Sequence, residues 1–161
     1  MDRAALKTRI RDYEGCEYEA YDDTEGYRTV AIGFNLDDPG AKDAIEGLGL
    51  DFDLVYDAEV ALSDGHCEAL LDLRLDTAIN DAMSLVSNFA TQPEDIQGVI
   101  TDMCYNLGGP RFAKFEKTIA AFEVKDYCTA AKEMGDSKWA RQVGRRAVDD
   151  IAIVQSYCVG G

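Results

Sequence analysis

The sequence has little histidine, proline and basic charge. Its 161 residues include one histidine, three prolines and 16 lysines and arginines, against 31 aspartates and glutamates. The formal net charge of −15 argues against duplex nucleic acid as a partner, because binding to phosphates requires clusters of cationic side chains. Since His66 has no second histidine and no CxxC pair beside it, we expect no metal site, and we expect no cofactor.

Cysteines and long apolar runs are also scarce. The five cysteines are odd in number and most fall on helical patterns, so reduced thiols are expected. A chain of this length buries roughly 68–70% of the surface that it exposes when unfolded, enough for a core without cross-links. Met1 to Arg11 alternates charged with apolar residues, which predicts cytosolic synthesis with no signal peptide and no membrane span. We expect a monomer.

A helical pattern opens the chain and places Glu14 at its end. Asp2 can cap the helix, and Gly15 supplies the left-handed residue that ends many helices. The apolar residues on one face, at i, i+4 and i+7, are Leu6, Ile10 and Tyr13. The carbonyl dipoles of a last helical turn disfavour a charged carboxylate, so this position suits a group that must keep its proton near neutral pH.

A hairpin pattern follows the helix. Residues 23–26 have turn chemistry, and strand formers flank them at Tyr21, Tyr27, Thr29, Val30 and Ile32. An acid on a helix and a carboxylate with a hydroxyl on a hairpin form an arrangement that suits cleavage of a glycosidic bond. The two carboxyl groups lie about 5–5.5 Å apart in retaining glycosidases and ~6.5–9.5 Å apart in inverting ones.

Two sets of motifs point to a family. The first set reads Glu14-Gly15, Tyr21, Asp23-Thr24-Glu25-Gly26-Tyr27, Thr29 and Ile32-Gly33. The second set reads Asn106-Leu107-Gly108, Phe115, Thr118, Ala130-Ala131, Ser137-Lys138-Trp139 and Arg146-Ala147. In this order and nearly this spacing, from about residue 9 to residue 155, the sequence resembles the phage-type lysozyme family.

The resemblance assigns roles to single residues. Glu14 would be the general acid, Asp23 the base or electrostatic partner, and Thr29 the hydroxyl that orients the attacking water. Arg146 would be the partner of Glu14, with Arg145 as the adjacent candidate. Further substrate-binding or supporting positions would be Tyr21, Asn106, Phe115 and Thr118.

The same resemblance implies a mostly helical α+β fold of the lysozyme type, acting as a single catalytic domain over residues 1–161. A small N-terminal α+β lobe would cover about 15–62, and a helical C-terminal lobe about 84–161, with residues 1–14 as a candidate addition to it. A long helix would join the two lobes. Most of the family has a histidine where this chain has Phe34, so a structural ion pair is expected to be lost without harm to the reaction; residues 37–62 do not align.

Periodicity predicts the later helices. Ser63 should begin the long helix, with His66 on its first turn and an apolar face of Leu70, Leu71, Leu75, Ala78, Ile79, Ala82 and Met83. Thr91 and Glu94 read as a capping box for the next helix, which should run to Gly108. Its apolar positions are Ile96, Val99, Ile100, Met103, Cys104 and Leu107.

By resemblance, the chain is expected to be a bacteriolytic muramidase that cleaves the β-1,4 bond between N-acetylmuramic acid and N-acetylglucosamine in bacterial peptidoglycan. The family implies an endolysin that is made in the host cytoplasm and reaches the wall after release for phage-mediated lysis, or an enzyme carried by the virion. A lytic transglycosylase is the enzymatic alternative, since it needs an acid but no water-positioning group. A non-catalytic wall-binding or virion module of the same fold is the other.

Charge is unevenly distributed along the chain. Residues 35–85 hold 13 acidic and 2 basic residues, whereas residues 111–146 hold 9 basic and 5 acidic residues. The basic stretch either lines the substrate side or forms a solvated helix face. Repulsion between the acidic protein and an anionic wall polymer should be strongest at low salt.

Overall fold

Helix α1, Arg3–Glu14, begins and ends as the sequence predicts in the computed structural model, which describes residues 1–159. The Oδ1 atom of Asp2 accepts a hydrogen bond from the Ala5 amide at 3.0 Å, which satisfies an N–H group that has no partner within the helix. Gly15 ends the helix with φ of 68°. The helix therefore delivers Glu14 at its last position.

A three-stranded antiparallel sheet follows α1, in the order β1-β2-β3. The strands are β1 Glu17–Asp22, β2 Arg28–Ala31 and β3 Phe34–Asn35. Tyr21 lies opposite Thr29, and the register shifts between Glu17 and Tyr21. The predicted hairpin is confirmed. Phe34 is 8% exposed and pairs with Val30, so the residue at the expected histidine position adds to the apolar interior.

Two short helices fill the segment that could not be aligned, and a long helix comes after them. They are α2 Ala41–Gly47, α3 Phe52–Tyr56 and α4 Asp64–Leu85. The Oγ atom of Ser63 accepts from the His66 amide at 3.2 Å, and the Nδ1 atom of His66 accepts from the Ser63 amide at 3.1 Å. This reciprocal cap confirms the predicted start of α4.

The predicted apolar face of α4 is correct except at its last member. Most of its residues are buried, but Met83 is 56% exposed. At 100° per residue, Met83 lies well away from the line through Ala78 and Ala82. Its apolar character made it look like a core residue, but its angular position puts it in solvent.

Seven helical segments follow α4 in the part of the chain that the structure describes. They are the 3₁₀ helix Phe89–Thr91, α5 Glu94–Leu107, α6 Gly109–Phe112, α7 Glu116–Glu123, α8 Tyr127–Gly135, α9 Lys138–Val143 and α10 Arg145–Gln155. The predicted mostly helical α+β class is confirmed. Every residue of α5 from 98 to 105 is buried, so this helix has no face toward water over more than two turns.

The capping box predicted for α5 is wrong. Thr91 ends the 3₁₀ helix, and its Oγ1 atom donates to the Asn88 carbonyl at 3.0 Å. Pro93, with an extended ψ of 149°, precedes the first helical residue, Glu94, and its side chain has no atom that could cap an amide. The Thr91 hydroxyl that a capping box requires is thus already used within the 3₁₀ helix.

The prediction that all cysteines are reduced is also wrong. Cys128 and Cys158 form a disulfide with a Cα–Cα distance of 4.7 Å. Cys128 lies on α8, and Cys158 follows α10, which packs against α8. The pair is 30 residues apart, so the packing of helices, which spacing does not reveal, brings it together. The other cysteines, at 16, 67 and 104, are not bridged.

The chain forms two compact units, which we call the N-terminal unit and the C-terminal unit. The N-terminal unit comprises Lys7–Leu75, and the C-terminal unit comprises Met1–Leu6 with the chain from Asp76 onward. The first contains the sheet and the start of α4, and the second contains the end of α4 and all later helices. The action of the whole chain as one catalytic domain stays a prediction. Over residues 1–159, no helix is both long and apolar enough to span a bilayer.

Candidate active site

Glu14 is half-buried at the end of α1, and its carboxylate packs against the backbone at Gly33. A Cβ atom built on Gly33 would lie 2.8 Å from Oε2 of Glu14 and 3.0 Å from its Cδ. Gly33 also has φ of 65°, a conformation that L side chains rarely adopt. Glycine is therefore required at position 33 for two separate reasons, and it lets the turn between β2 and β3 approach the candidate acid.

Asp23 is held by the turn that follows β1. Its Oδ1 atom accepts hydrogen bonds from the amides of Glu25, at 2.9 Å, and Tyr27, at 2.8 Å. The Asp23 amide donates in turn to the Tyr27 carbonyl at 2.8 Å. These three bonds fix both the turn and the direction of the carboxylate. The turn that the sequence predicted at this position is therefore present.

Thr29 lies on β2, where it is 4% exposed. Its Oγ1 atom donates to the Tyr27 carbonyl at 3.0 Å. A hydroxyl has one hydrogen and two acceptor lone pairs, so Thr29 meets a further partner as an acceptor. A group that orients a water molecule needs this property. It accepts a hydrogen bond from the water, and the lone pairs of that water then point away from it.

Tyr21 lies among the acidic residues of this region. Burial, followed by the negative charges of Glu14, Glu17 and Asp23, raises the pKa of the Tyr21 hydroxyl. The phenol therefore stays protonated and can act as a hydrogen-bond donor near neutral pH. Glu14, on α1, and Asp23, in the hairpin, thus both act electrostatically on this one side chain.

In the C-terminal unit, the two candidate arginines differ in their environment. Arg146 is 5% exposed, and it donates from Nε to Oδ2 of Asp102 at 3.0 Å and from Nη2 to Oδ1 at 2.7 Å. Arg145 is 72% exposed and approaches Asp149 at 4.0 Å. A bidentate pair fixes the plane of a guanidinium. The pairing of Arg146 with Glu14 stays a prediction, but a buried, oriented guanidinium is a stronger candidate than an exposed one.

Asp102 is not among the site residues predicted from the sequence. It is completely buried in α5, within the run Ile100-Thr101-Asp102-Met103-Cys104. An acid within a buried stretch of helix requires a buried partner, because an unpaired charge is costly to remove from water. The apolar neighbours of Asp102 in the sequence indicate that it is buried, and the structure shows that its partner is Arg146.

Asn106 orients the only tryptophan. The Nε1 atom of Trp139 donates to Oδ1 of Asn106 at 2.9 Å, and Phe115 meets the indole edge-on with 6.4 Å between ring centroids. The structure thus brings Asn106 and Phe115 together, as members of one cluster. Thr118 is 2% exposed on α7, and its supporting role stays a prediction.

A surface cavity of about 390 Å³ opens beside this cluster. Phe115 and Trp139 line it, together with Arg111, Lys114 and Lys138 from the basic stretch and two acids, Glu133 and Asp136. Aromatic walls with charges of both signs suit a polar ligand that carries both acidic and basic groups. Within residues 1–159, no group of three or more histidine, cysteine or acidic side chains is placed to hold a metal ion.

Comparison with known proteins places the chain in a class. The family model for phage lysozyme matches residues 11–151, so the chain belongs to that family, and it has the fold of a lysozyme-like glycoside hydrolase. The matched segment includes Glu14, Asp23, Thr29 and Arg146.

Two relatives come from Dictyostelium discoideum. The chain is 27% identical to probable T4-type lysozyme 2 and 26% identical to probable T4-type lysozyme 1, in each case over 161 residues. Both matches cover 95% of this chain and 95% of the relative. The resemblance first seen in short motifs therefore extends over nearly the whole length.

Proposed function

We propose that the protein is a muramidase that hydrolyses the β-1,4 bond between N-acetylmuramic acid and N-acetylglucosamine in bacterial peptidoglycan. The observation that carries the proposal is the placement of Glu14 against Gly33, next to a hairpin that fixes Asp23 and Thr29. The names of the two Dictyostelium relatives agree with it.

In the proposed reaction, Glu14 donates its proton to the glycosidic oxygen as the bond to the leaving sugar breaks. Positive charge then develops on the sugar ring, and the Asp23 carboxylate stabilises it or takes the proton of the attacking water. Thr29 accepts a hydrogen bond from that water, because its own hydrogen is committed to the Tyr27 carbonyl. Arg146, oriented by Asp102, is proposed to position Glu14.

The aromatic cavity of the C-terminal unit supports contact with the rest of the polymer. Its three cations lie in the part of the chain where basic residues outnumber acidic ones. The Cys128–Cys158 disulfide supports action in an oxidising compartment, since such bonds persist outside the cytosol. We therefore propose action on the periplasmic or cell-wall polymer, either after release from a lysing host or from a virus particle that carries the enzyme.

Clearing of purified cell walls tests the proposal through Glu14→Gln. The amide keeps the size of the side chain but cannot deliver a proton, and general acid assistance is worth ~10²–10⁴-fold, so clearing should fall by about that factor. Glu19→Gln is the matched control, since Glu19 is an exposed glutamate on β1, and it should clear at the wild-type rate. A Glu14→Gln rate above about a tenth of wild type would show that Glu14 is not the acid.

The products distinguish the alternatives. Hydrolysis adds water and leaves a reducing muramic acid end, whereas a lytic transglycosylase leaves an anhydro sugar without gain of water. Mass spectrometry of wall digests made in ¹⁸O-labelled water should show the label in the product. An anhydro product would assign the protein to the transglycosylases, and binding to walls without any cleavage would make it a non-catalytic module.

A further inference from the structure

Two of the unbridged cysteines belong to neighbouring segments of the N-terminal unit. Cys16 lies between Gly15, which ends α1, and the first residue of β1. Cys67 lies in the first turn of α4. The Cys16 side chain contributes to the raised pKa of the Cys67 thiol, which indicates that the two side chains lie close together although 50 residues separate them in the chain.

Contacts on both sides hold these segments together. The Leu62 amide donates to the Tyr18 carbonyl at 2.8 Å, and the Tyr18 hydroxyl donates to Oδ1 of Asp64 at 2.5 Å. On the other side, the Arg11 guanidinium pairs with the Glu68 carboxylate. Residues 11–18 therefore run alongside residues 62–68. Cys16 and Cys67 belong to these two paired segments.

The two thiols differ in access. Cys16 is half-buried and Cys67 is 2% exposed. Burial, and after it the hydrogen bond with Cys16, raises the pKa of the Cys67 thiol to about 12. A reagent in solution can thus reach Cys16 first. Cys67 is shielded from such reagents and is placed to react with Cys16.

We propose that Cys16 and Cys67 are a redox-dependent modification site, which closes to a second disulfide in the presence of a low-molecular-weight disulfide. The Cys16 thiolate attacks one sulfur of the oxidant and releases its other half as a thiol. The Cys67 thiol then passes its proton to the departing sulfur as its own sulfur attacks the Cys16 sulfur of that mixed disulfide, and the second half leaves as a thiol. Two protein thiols are oxidised to one disulfide, and one molecule of oxidant is reduced to two thiols.

The cross-link would tie the residue two positions after Glu14 to the first turn of α4. It closes a chain segment that includes the whole sheet, so it removes conformational freedom from the unfolded N-terminal unit. The oxidised protein should therefore unfold at a temperature several degrees higher than the reduced protein. This inference does not depend on the proposed reaction.

Titration with oxidised glutathione, followed by denaturation and thiol counting, tests the proposal. Before oxidation, the three unbridged cysteines should all react with a thiol reagent. After oxidation only Cys104 should react, and mass spectrometry of a digest should find the peptide of Cys16 joined to that of Cys67. A persistent count of three, a wild-type protein that stops with glutathione on Cys16, or a different pairing would overturn the proposal.

Variants sharpen the result. Cys67→Ser should stop at a glutathione adduct on Cys16 and should show no rise in the unfolding temperature. Cys104→Ser, which removes the third unbridged and buried cysteine, should still form the new disulfide and gain the same rise. A rise in unfolding temperature that survives in Cys67→Ser would mean that the stabilisation comes from elsewhere and would contradict the proposed cross-link.

Discussion

In the N-terminal unit, the amides of Glu25 and Tyr27 hold Asp23, and the Tyr27 carbonyl holds Thr29. In the C-terminal unit, side chains hold other side chains: Asp102 orients Arg146, and Asn106 orients Trp139. The first kind of support depends on backbone conformation, and the second depends on buried partners. The two units should therefore fail in different ways when they are mutated.

The largest effect is expected at Asp102. Asp102→Ala removes two hydrogen bonds from the buried Arg146, and the loss of one member of a buried ion pair costs about 3–5 kcal/mol. Urea denaturation should show this loss in the free energy of unfolding. Asp149→Ala, which removes the distant partner of the exposed Arg145, should cost about 0–1 kcal/mol. Equal losses in the two variants would contradict the assignment of the buried pair.

Gly33 gives the corresponding test for backbone support. Gly33→Ala forces a side chain into a left-handed conformation, at roughly 1–2 kcal/mol, and also pushes its Cβ against Glu14. Gly49→Ala shares the strain, with φ of 83°, but has open space around its Cβ. Both variants should lose similar stability in urea, and only Gly33→Ala should lose wall clearing as well. Full clearing by Gly33→Ala would show that the position of Glu14 tolerates displacement.

The smallest effect concerns charge. The Debye length falls from about 30 Å at 0.01 M salt to about 8 Å at 0.15 M, which screens repulsion between the acidic protein and an anionic wall before it weakens close contacts. The initial clearing rate should therefore rise with salt over that range. A steady fall would mean that the basic stretch of residues 111–146 governs encounter instead of the net charge of −15.

Local signals allowed α1 and the hairpin to be predicted. Asp2 and Gly15 mark the ends of α1, and turn residues mark the hairpin, because each acts on its immediate neighbours. The same kind of signal failed at Thr91, where a 3₁₀ turn uses the hydroxyl. It also failed at Met83, whose apolar side chain suggests burial but whose angular position on the helix leaves it exposed.

Features that depend on distant parts of the chain could not be predicted. The Cys128–Cys158 bond forms because α8 packs on α10, and the second reason for glycine at position 33 is a carboxylate 19 residues earlier. Asp102 is an intermediate case: its burial could be inferred from the apolar residues around it, but its arginine could not. The motif resemblance supplied the roles that spacing alone could not assign.

Helix α5 has a consequence for how the C-terminal unit forms. Since residues 98–105 are buried on every side, this stretch of α5 has no face that could lie in water while the helices around it assemble. A partly formed unit would either expose an apolar stretch to water or bury Asp102 without its arginine, and both are costly. Such a helix favours folding that is all or none, so the surrounding helices and α5 become stable together rather than in sequence.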